Sequence, residues 1–232
     1  MLGVPAMQGK SQVIISLLLG DKLNTGAVEF GLDGGINYVS QSGVKGGSLP
    51  EFNLGFYFDI KLNKPSWMIH TGVIVKSNMG AAGIPPYSLN DATLDNLFAS
   101  GSVTRRMNYF NVPLLLKRKF GTNFYVEGGL QVGLLYNATD EFKTTVNGQE
   151  LIYKKDVRDR FLALDAGLMG GIGYRLLKGY GMNLGIRYYL GYMDLVKDNT
   201  GDPVQNRSLY LVVGIPIGVG KSREKDQKKD NP

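Results

Sequence analysis

The sequence has no cysteine and only one histidine among its 232 residues. Without cysteine the chain can form neither a disulfide framework nor a thiolate metal site. Clusters of metal ligands at plausible spacing are also missing from the sequence. We therefore expect no cofactor and no resident metal.

Long apolar runs are missing as well. No segment approaches the ~18–20 consecutive apolar residues that a membrane-spanning helix needs. This excludes helical spans only, because the strands of a membrane barrel cross the bilayer with about 9–11 residues each.

Glycine is abundant, with 32 residues, about twice the usual share of ~7%. No collagen period is present, so the glycines are expected in turns, bulges or close interior packing. The formal net charge of +6 is modest. The cations do not form a stripe, which argues against a nucleic-acid partner.

The two ends of the chain differ in character from the rest. Residues 1–25 are interpreted as a signal-peptide remnant and a periplasmic N-terminal segment, because "LGVPAMQG" resembles the end of a secretory signal. Two alternatives are that "KSQVIISLLLG" is itself a short signal core, or that residues 12–20 form a buried strand. Residues 221–232, "KSREKDQKKDNP", are predicted to be a charged, disordered periplasmic tail.

Strict alternation of apolar and polar residues dominates the remaining chain. In "FYVEGGLQVGLLY", residues 124–136, every second residue is apolar and the others are polar or glycine, which is typical of a two-faced strand. The pattern occurs in eight segments: 26–39, 52–62, 66–78, 104–118, 124–136, 160–175, 180–193 and 207–219. Connections between them alternate between long and short.

Short turns at one end and long loops at the other are typical of transmembrane barrels. We therefore predict an all-β fold over residues 26–220, an eight-stranded antiparallel up-and-down transmembrane β-barrel. It is expected to be monomeric by default, with its apolar face toward outer-membrane lipid and both termini in the periplasm. Asn147-Gly148 predicts a type I′ hairpin above the membrane. A helical turn is expected near residues 88–98, capped by Ser88 or Asn90.

The polar face of the strands would point into the barrel, where eight strands leave room only for side chains. Asp165 is expected diagonal to Arg187, and Lys117 diagonal to Glu127, so that charges pair inside. The predicted polar core comprises Glu29, Asp33, Asp59, Lys61, His70, Lys76, Lys117, Glu127, Asp165 and Arg187.

Aromatic residues near the strand ends predict two interface girdles. Those beside the tight turns are Trp67, Phe120, Phe124, Tyr174 and Tyr180. Those toward the long loops are Tyr38, Tyr136 and Tyr192.

The segments "YFNVPLLLKR" at 109–118, "GLDGGINYV" at 31–39 and "GLMGGIGYRL" at 167–176 resemble the PorT-like outer-membrane β-barrel family, as does the closing "YLVVGIPIG" at 210–218. The resemblance covers roughly residues 26–220. It implies a small barrel of the Gram-negative outer membrane, and the namesake of the family is associated with protein secretion.

The single histidine, His70, is predicted to face inward and to belong to the polar core rather than to a catalytic group. We therefore expect a non-enzymatic structural or interaction component, an accessory of secretion or envelope assembly whose loops or rim contact protein partners. Two alternatives are a lipid-modifying barrel enzyme, which needs a His and a Ser at the lipid face, and a soluble lipocalin-like barrel, which needs an apolar interior.

Overall fold

The computed structural model describes residues 27–64, 66–179, 181–197 and 200–217. The predicted signal remnant, the charged tail and Tyr180 lie outside the described residues. No helix within these ranges is long and apolar enough to cross a membrane.

Nine antiparallel strands form the described sheet. Their bounds are β1 Val28–Ser42, β2 Leu49–Lys61, β3 Trp67–Ile84, β4 Ser102–Phe120, β5 Phe124–Val146, β6 Gln149–Asp156, β7 Leu164–Arg175, β8 Asn183–Gly191 and β9 Gln205–Pro216. A short helix, Ala92–Phe98, lies between β3 and β4, a 3₁₀ turn, Arg158–Arg160, follows β6, and a helical turn, Leu176–Gly179, connects β7 to β8.

Eight of the strands form a closed ring. Within the ring, strands that follow each other in the chain pair, except that β5 pairs with β7, past β6, and β1 pairs with β9. The pairing of β4 with β5 completes the circuit, so no edge remains in the ring. The predicted fold class is confirmed. β6 is a ninth strand that pairs only with the far part of β5.

The apolar face of the ring points outward. Leu130, Ile186 and Leu211 are each exposed, whereas Asp33 and Arg187 are buried. This arrangement is inverted relative to a water-soluble protein and fits a hydrocarbon environment, where a closed barrel satisfies its backbone internally. Glycines on the inner face make room for large side chains. A Cβ atom at Gly173, for example, would clash with the ring of Tyr125.

Three connections form what we call the short-turn end, at residues 62–66, 121–123 and 176–182. The opposite, long-loop end carries residues 85–101, 147–163 and 192–204, together with residues 43–48. The last of these was expected to be longer. Strands β1 and β2 continue further than predicted because Val39 and Leu49 pair with each other and are buried.

One sheet continues above the ring, and we call it the long-loop sheet. It consists of β3 from Ser77, β4 up to Tyr109, β5 from Asn137 and all of β6. The β5–β6 hairpin turns at Asn147-Gly148, where both residues have positive φ, 51° and 77°. The predicted type I′ hairpin is confirmed.

The helix in the long loop begins after Asp91, whose carboxylate accepts hydrogen bonds from the backbone N–H groups of Thr93 and Leu94. The predicted helical turn is confirmed, but the predicted caps, Ser88 and Asn90, are wrong. Asp91 is the residue that places an acceptor opposite the first free N–H groups.

Candidate functional site: the charged interior and the long-loop end

A buried ion network crosses the interior of the ring, and Arg187 on β8 lies at its centre. Its guanidinium donates to Asp33 on β1 (Nη1 to Oδ2, 2.8 Å) and to Glu127 on β5. Its Nη2 atom lies 3.0 Å from Nε2 of His70 on β3. One side chain therefore links three other strands across the lumen.

His70 connects this half of the network to the other. Its Nδ1 atom lies 2.7 Å from Oδ1 of Asp59 on β2, and the second oxygen of Asp59 accepts from Nζ of Lys117 on β4 at 2.9 Å. Because a guanidinium only donates, its contact with His70 is a hydrogen bond when Nε2 carries no proton. In that tautomer Nδ1–H donates to Asp59.

Six buried ionisable side chains from six different strands thus meet at one level. They are Asp33, Asp59, His70, Lys117, Glu127 and Arg187. Removing such charges from water is costly unless each finds partners, and here the carboxylates and cations compensate one another. Lys117 also lies 4.1 Å from the ring centroid of Tyr125, so an aromatic face covers the ammonium. The network fills the lumen with side chains.

A second ion pair lies nearer the short-turn end. Arg175 Nη2 donates to Glu29 Oε2 at 2.6 Å, and the Tyr57 hydroxyl donates to the other oxygen of Glu29 at 3.1 Å. Asn183 donates to the Tyr57 hydroxyl in turn. Glu29 is therefore in the interior, as predicted. Arg175 was missed, although its position in the alternation of β7 was a signal that would have found it.

Two residues of the predicted core are not in it. Lys76 is exposed on the outside of the barrel, with Nζ 5.6 Å from the ring centroid of Phe52. The β2–β3 register accounts for this, because Gly55 pairs with Ile74 and Leu54 with Lys76, which leaves Val75 as an extra residue. A bulge of this kind reverses the faces of the residues that follow it. Lys61 is exposed at the short-turn rim because β2 ends there.

The predicted charge pairs also differ from those observed. Lys117 lies directly opposite Glu127 rather than diagonal to it, and its ammonium contacts Asp59. Asp165 is not beside Arg187, because Gly171 occupies the position opposite Arg187. Asp165 lies six residues along β7 from Gly171, which is too far for a diagonal contact with Arg187.

Asp165 instead belongs to a polar layer nearer the long loops. Its Oδ2 accepts from Asn206 Nδ2 at 2.9 Å, and Asn206 accepts in turn from Gln41 at 3.1 Å. Tyr109, Tyr189 and Tyr210 are buried at this depth. Amide groups and tyrosines are the main components of this layer.

The long-loop end has a different construction. Arg105 donates two hydrogen bonds to buried Asp140, at 2.8 and 2.7 Å, and the Tyr87 hydroxyl donates to the same carboxylate at 2.8 Å. Burial and the Asp140 charge raise the pKa of Tyr87 to about 12. Arg160 lies over the Tyr87 ring at 5.0 Å. These contacts fasten the loop of residues 85–101 to the long-loop sheet, and no sequence pattern had linked them.

An apolar cluster separate from the ring fills the space beneath this loop. Its buried members are Ala81, Ile84, Phe98, Val103 and Phe142. On the other face of the sheet, Glu141 has ion pairs with Arg106, Lys143 and Lys154 at 3.6, 3.5 and 3.3 Å. Partial burial raises the pKa of Glu141, but the Lys154 hydrogen bond and the nearby cations outweigh it and lower that pKa overall.

The aromatic residues predicted for the girdles, apart from Tyr180, lie on the outer surface near the two ends of the ring. Phe124, Tyr174 and Phe120 are exposed near the short turns, and Tyr38, Tyr136 and Tyr192 are exposed toward the long loops. Trp67 is half-buried, and the Arg118 guanidinium lies 5.2 Å from its ring centroid. The indole and its cation neighbour suit a membrane–water boundary.

No group of three or more His, Asp or Glu side chains within the described ranges has an arrangement that could hold a metal ion. The carboxylates of the ion network are directed to Arg187, His70 and Lys117 instead.

A closed antiparallel ring with an apolar outer band and a charged, filled interior defines a membrane β-barrel of the outer-membrane class. The chain belongs to the family described as outer membrane protein beta-barrel domain, whose model matches residues 11–197. This family indicates the outer membrane of a Gram-negative bacterium. No curated protein matches the sequence.

Several solved barrels are similar in structure. Ail, the attachment invasion locus protein of Yersinia pestis, solved with the heparin analogue sucrose octasulfate, has 12% identity and a TM-score of 0.45, over 82% of this chain and 99% of Ail. Neisserial surface protein A has 12% identity and a TM-score of 0.42, over 82% and 99%. OprG from Pseudomonas aeruginosa has 11% identity and a TM-score of 0.37, over 82% and 94%. Assignment to the family rests on the family model.

Proposed function

We propose that this protein is a non-enzymatic, PorT-like barrel that acts as a structural and interaction component of the outer membrane, as an accessory of protein secretion or envelope assembly. The observation that carries the proposal is the ion network around Arg187. Because six strands contribute to it at one level, the lumen is occupied by side chains, and function is left to the surfaces at the two ends.

The long-loop end is proposed to face the exterior, with both termini in the periplasm. Outer-membrane barrels carry short periplasmic turns and longer extracellular loops, and the three longest connections here, residues 85–101, 147–163 and 192–204, all lie at the long-loop end. The long-loop sheet, with its own apolar cluster and charged outer face, is then the part of the molecule offered to partners.

A lipid-modifying enzyme is less well supported. Such an enzyme needs a histidine at the lipid face, but His70 is 1% exposed and contacts Asp59 and Arg187 inside the ring. A soluble lipocalin-like carrier needs an apolar interior, whereas this interior is charged. Incubation with phospholipid and lipopolysaccharide is expected to release no fatty acid. Acyl release that is lost in His70→Ala would contradict the non-enzymatic assignment.

The closed lumen is tested by recording current across planar lipid bilayers that contain the purified protein. We expect no stable open channel, because the Arg187 network has no room for a continuous water column. A steady ohmic conductance in the wild-type protein would contradict the proposal.

The interaction role is tested by cross-linking in native membranes, followed by purification of the barrel. The matched variant replaces residues 88–98, the helix and its cap, with a short Gly-Ser linker and leaves the ring unchanged. We expect a discrete set of envelope proteins that the wild-type chain captures and the variant does not. Identical capture by both proteins would remove the long-loop end as the interaction surface.

A further inference from the structure

β6 has one edge that no described strand pairs with, since the sheet order ends at this strand. The backbone of Val157 donates to the carbonyl of Ala138, which identifies the hydrogen-bonded pairs of the β5–β6 ladder. In an antiparallel ladder such pairs alternate with non-bonded pairs. In steps of two from Val157, the odd-numbered residues of β6 therefore bond to β5. The even-numbered residues direct their N–H and C=O groups to the open edge.

The side chains at these even positions are also accessible. Ile152 is 50% exposed, and the side chains of Glu150 and Lys154 are 60% and 66% exposed. An edge strand with free backbone groups is a template for another strand. Every second residue along this edge is acidic, then apolar, then basic: Glu150, Ile152 and Lys154. In the opposite direction the order is basic, apolar, acidic. Two antiparallel copies of the strand therefore place opposite charges against each other.

From this edge we propose that β6 binds β6 of a second copy of the same chain, in antiparallel register about a two-fold axis at Ile152. In this register Ile152 faces its own copy. Glu150 faces Lys154 of the other chain, twice by symmetry. Registers shifted toward Asp156 are less favourable, because they place Glu150 opposite Asp156 or Lys154 opposite a second Lys154. Registers shifted toward the hairpin turn place Glu150 opposite Ile152 or opposite a second Glu150, so they lose the opposite-charge pairs.

The direction of the strands determines where the second copy must be. Antiparallel pairing requires the two β6 strands to run in opposite directions, and β6 continues the antiparallel sheet of the ring. The two barrels therefore point in opposite directions and cannot lie side by side in one bilayer. The contact joins barrels in two facing membranes, an inference that rests on the proposed exterior position of the long loops.

Each contact is small, so a single pair is expected to be weak. Many copies on two facing surfaces raise the strength of the junction through multivalency.

A charge exchange tests the register in vesicles that contain the full chain. Glu150→Lys alone and Lys154→Glu alone place like charges opposite each other, and each is expected to abolish clustering measured by light scattering. Mixing vesicles of the two variants restores opposite charges across the junction and should restore clustering. Unchanged clustering by each single variant, or no recovery on mixing, would overturn the proposal.

A disulfide assay separates this pairing from the proposed orientation. The chain has no cysteine, so Ile152→Cys introduces a single thiol that should meet its own copy at a Cα separation of about 5.5 Å, within the range of a disulfide. The control is Thr145→Cys, exposed on the same face of β5, one strand from the edge. In detergent, Ile152→Cys should form covalent dimers much faster than the control.

Equal rates of dimer formation for the two cysteine variants would overturn the pairing. If Ile152→Cys dimers form in detergent while wild-type vesicles never cluster, the pairing stands and the junction between membranes is wrong. Labelling the Ile152→Cys thiol in intact cells with a membrane-impermeant reagent then tests the exterior position independently. Heat-modifiable migration confirms that each variant has folded.

Discussion

Strands β4 and β5 pass through two regions of the molecule that follow opposite rules. In the ring, Leu114 and Leu130 are exposed on the outside while Lys117 and Glu127 are buried within. In the long-loop sheet, Val103 and Phe142 are buried, and the outer face carries charge. The same two strands are thus inside-out in one region and conventional in the other, because hydrocarbon surrounds the first and water the second.

A bulge marks the boundary between these regions. Tyr109 pairs with Leu135 and Asn108 with Asn137, so Tyr136 is the extra residue. After this extra residue the side chains of β5 alternate in the opposite phase, so that residues which would have faced outward face inward. Phe142, which would have pointed outward, therefore points beneath the loop helix and joins the buried apolar cluster there.

The largest effect should come from the centre of the ring. Arg187→Ala leaves Asp33 and Glu127 buried without their cation, which is expected to cost about 3–5 kcal/mol in the free energy of unfolding. Urea titration of the protein in lipid, followed by gel mobility, measures it. Arg207→Ala, at an exposed position on the neighbouring strand, should change little.

If Arg187→Ala fails to assemble, Arg187→Met combined with Asp33→Asn and Glu127→Gln removes the stranded charges as well. This variant should fold and recover much of the lost stability. Wild-type stability in Arg187→Ala would mean that the network is not required by the ring.

Arginine placed at two equally exposed aliphatic positions, one in each region, tests whether the two regions face different solvents. Leu130 and Ile152 are 53% and 50% exposed, but only Leu130 lies in the apolar band. Leu130→Arg is expected to destabilise the barrel by about 2–4 kcal/mol, because the charge enters the bilayer. Ile152→Arg should have almost no effect on stability in the same titration. Equal effects of the two substitutions would contradict a boundary between a lipid-facing ring and a water-facing long-loop sheet.

A smaller and local effect is expected at the long-loop end. Arg105→Ala removes both hydrogen bonds to Asp140, and local opening of residues 85–101 should become easier by about 1–3 kcal/mol. Limited proteolysis should therefore cut this loop sooner, while the heat-modifiable mobility of the ring stays unchanged. Arg106→Ala, on the exposed face, is the control. Loss of the folded ring in Arg105→Ala would show that the two regions do not open separately.

The smallest effect concerns Asp95, whose carboxylate accepts from the Leu89 backbone N–H and the Ser88 hydroxyl. These hydrogen bonds lower the pKa of Asp95. A lowered folded-state pKa means that the contribution is present above the ordinary aspartate value of about 3.9 and is lost as the pH falls through the folded value. The protection of the Leu89 amide against hydrogen exchange, measured relative to the intrinsic rate at each pH, should fall at acid pH, and Asp95→Asn should abolish that dependence.

The alternation of apolar and polar residues was sufficient to place most of the buried charges. A strand with lipid on one side and the barrel interior on the other has a period of two in its sequence. Alternation failed at Lys76, since one bulged residue reverses the faces and no local signal marks it. It also failed to pair Asp165, because alternation gives the face of a residue but not its partner, which is Asn206 on β9. Arg105 and Asp140 were not recognised as partners, because they become neighbours only when β4 and β5 extend past the bulge.

By itself the sequence determined that this chain forms strands with one face for lipid and that its three longest loops lie at one end. Both properties follow from residue spacing along the chain. Tertiary structure decided which charges meet, since the stagger of eight strands around the ring brings Arg187 to Asp33, His70 and Glu127. Only ring closure sets that stagger, and no stretch of sequence contains it.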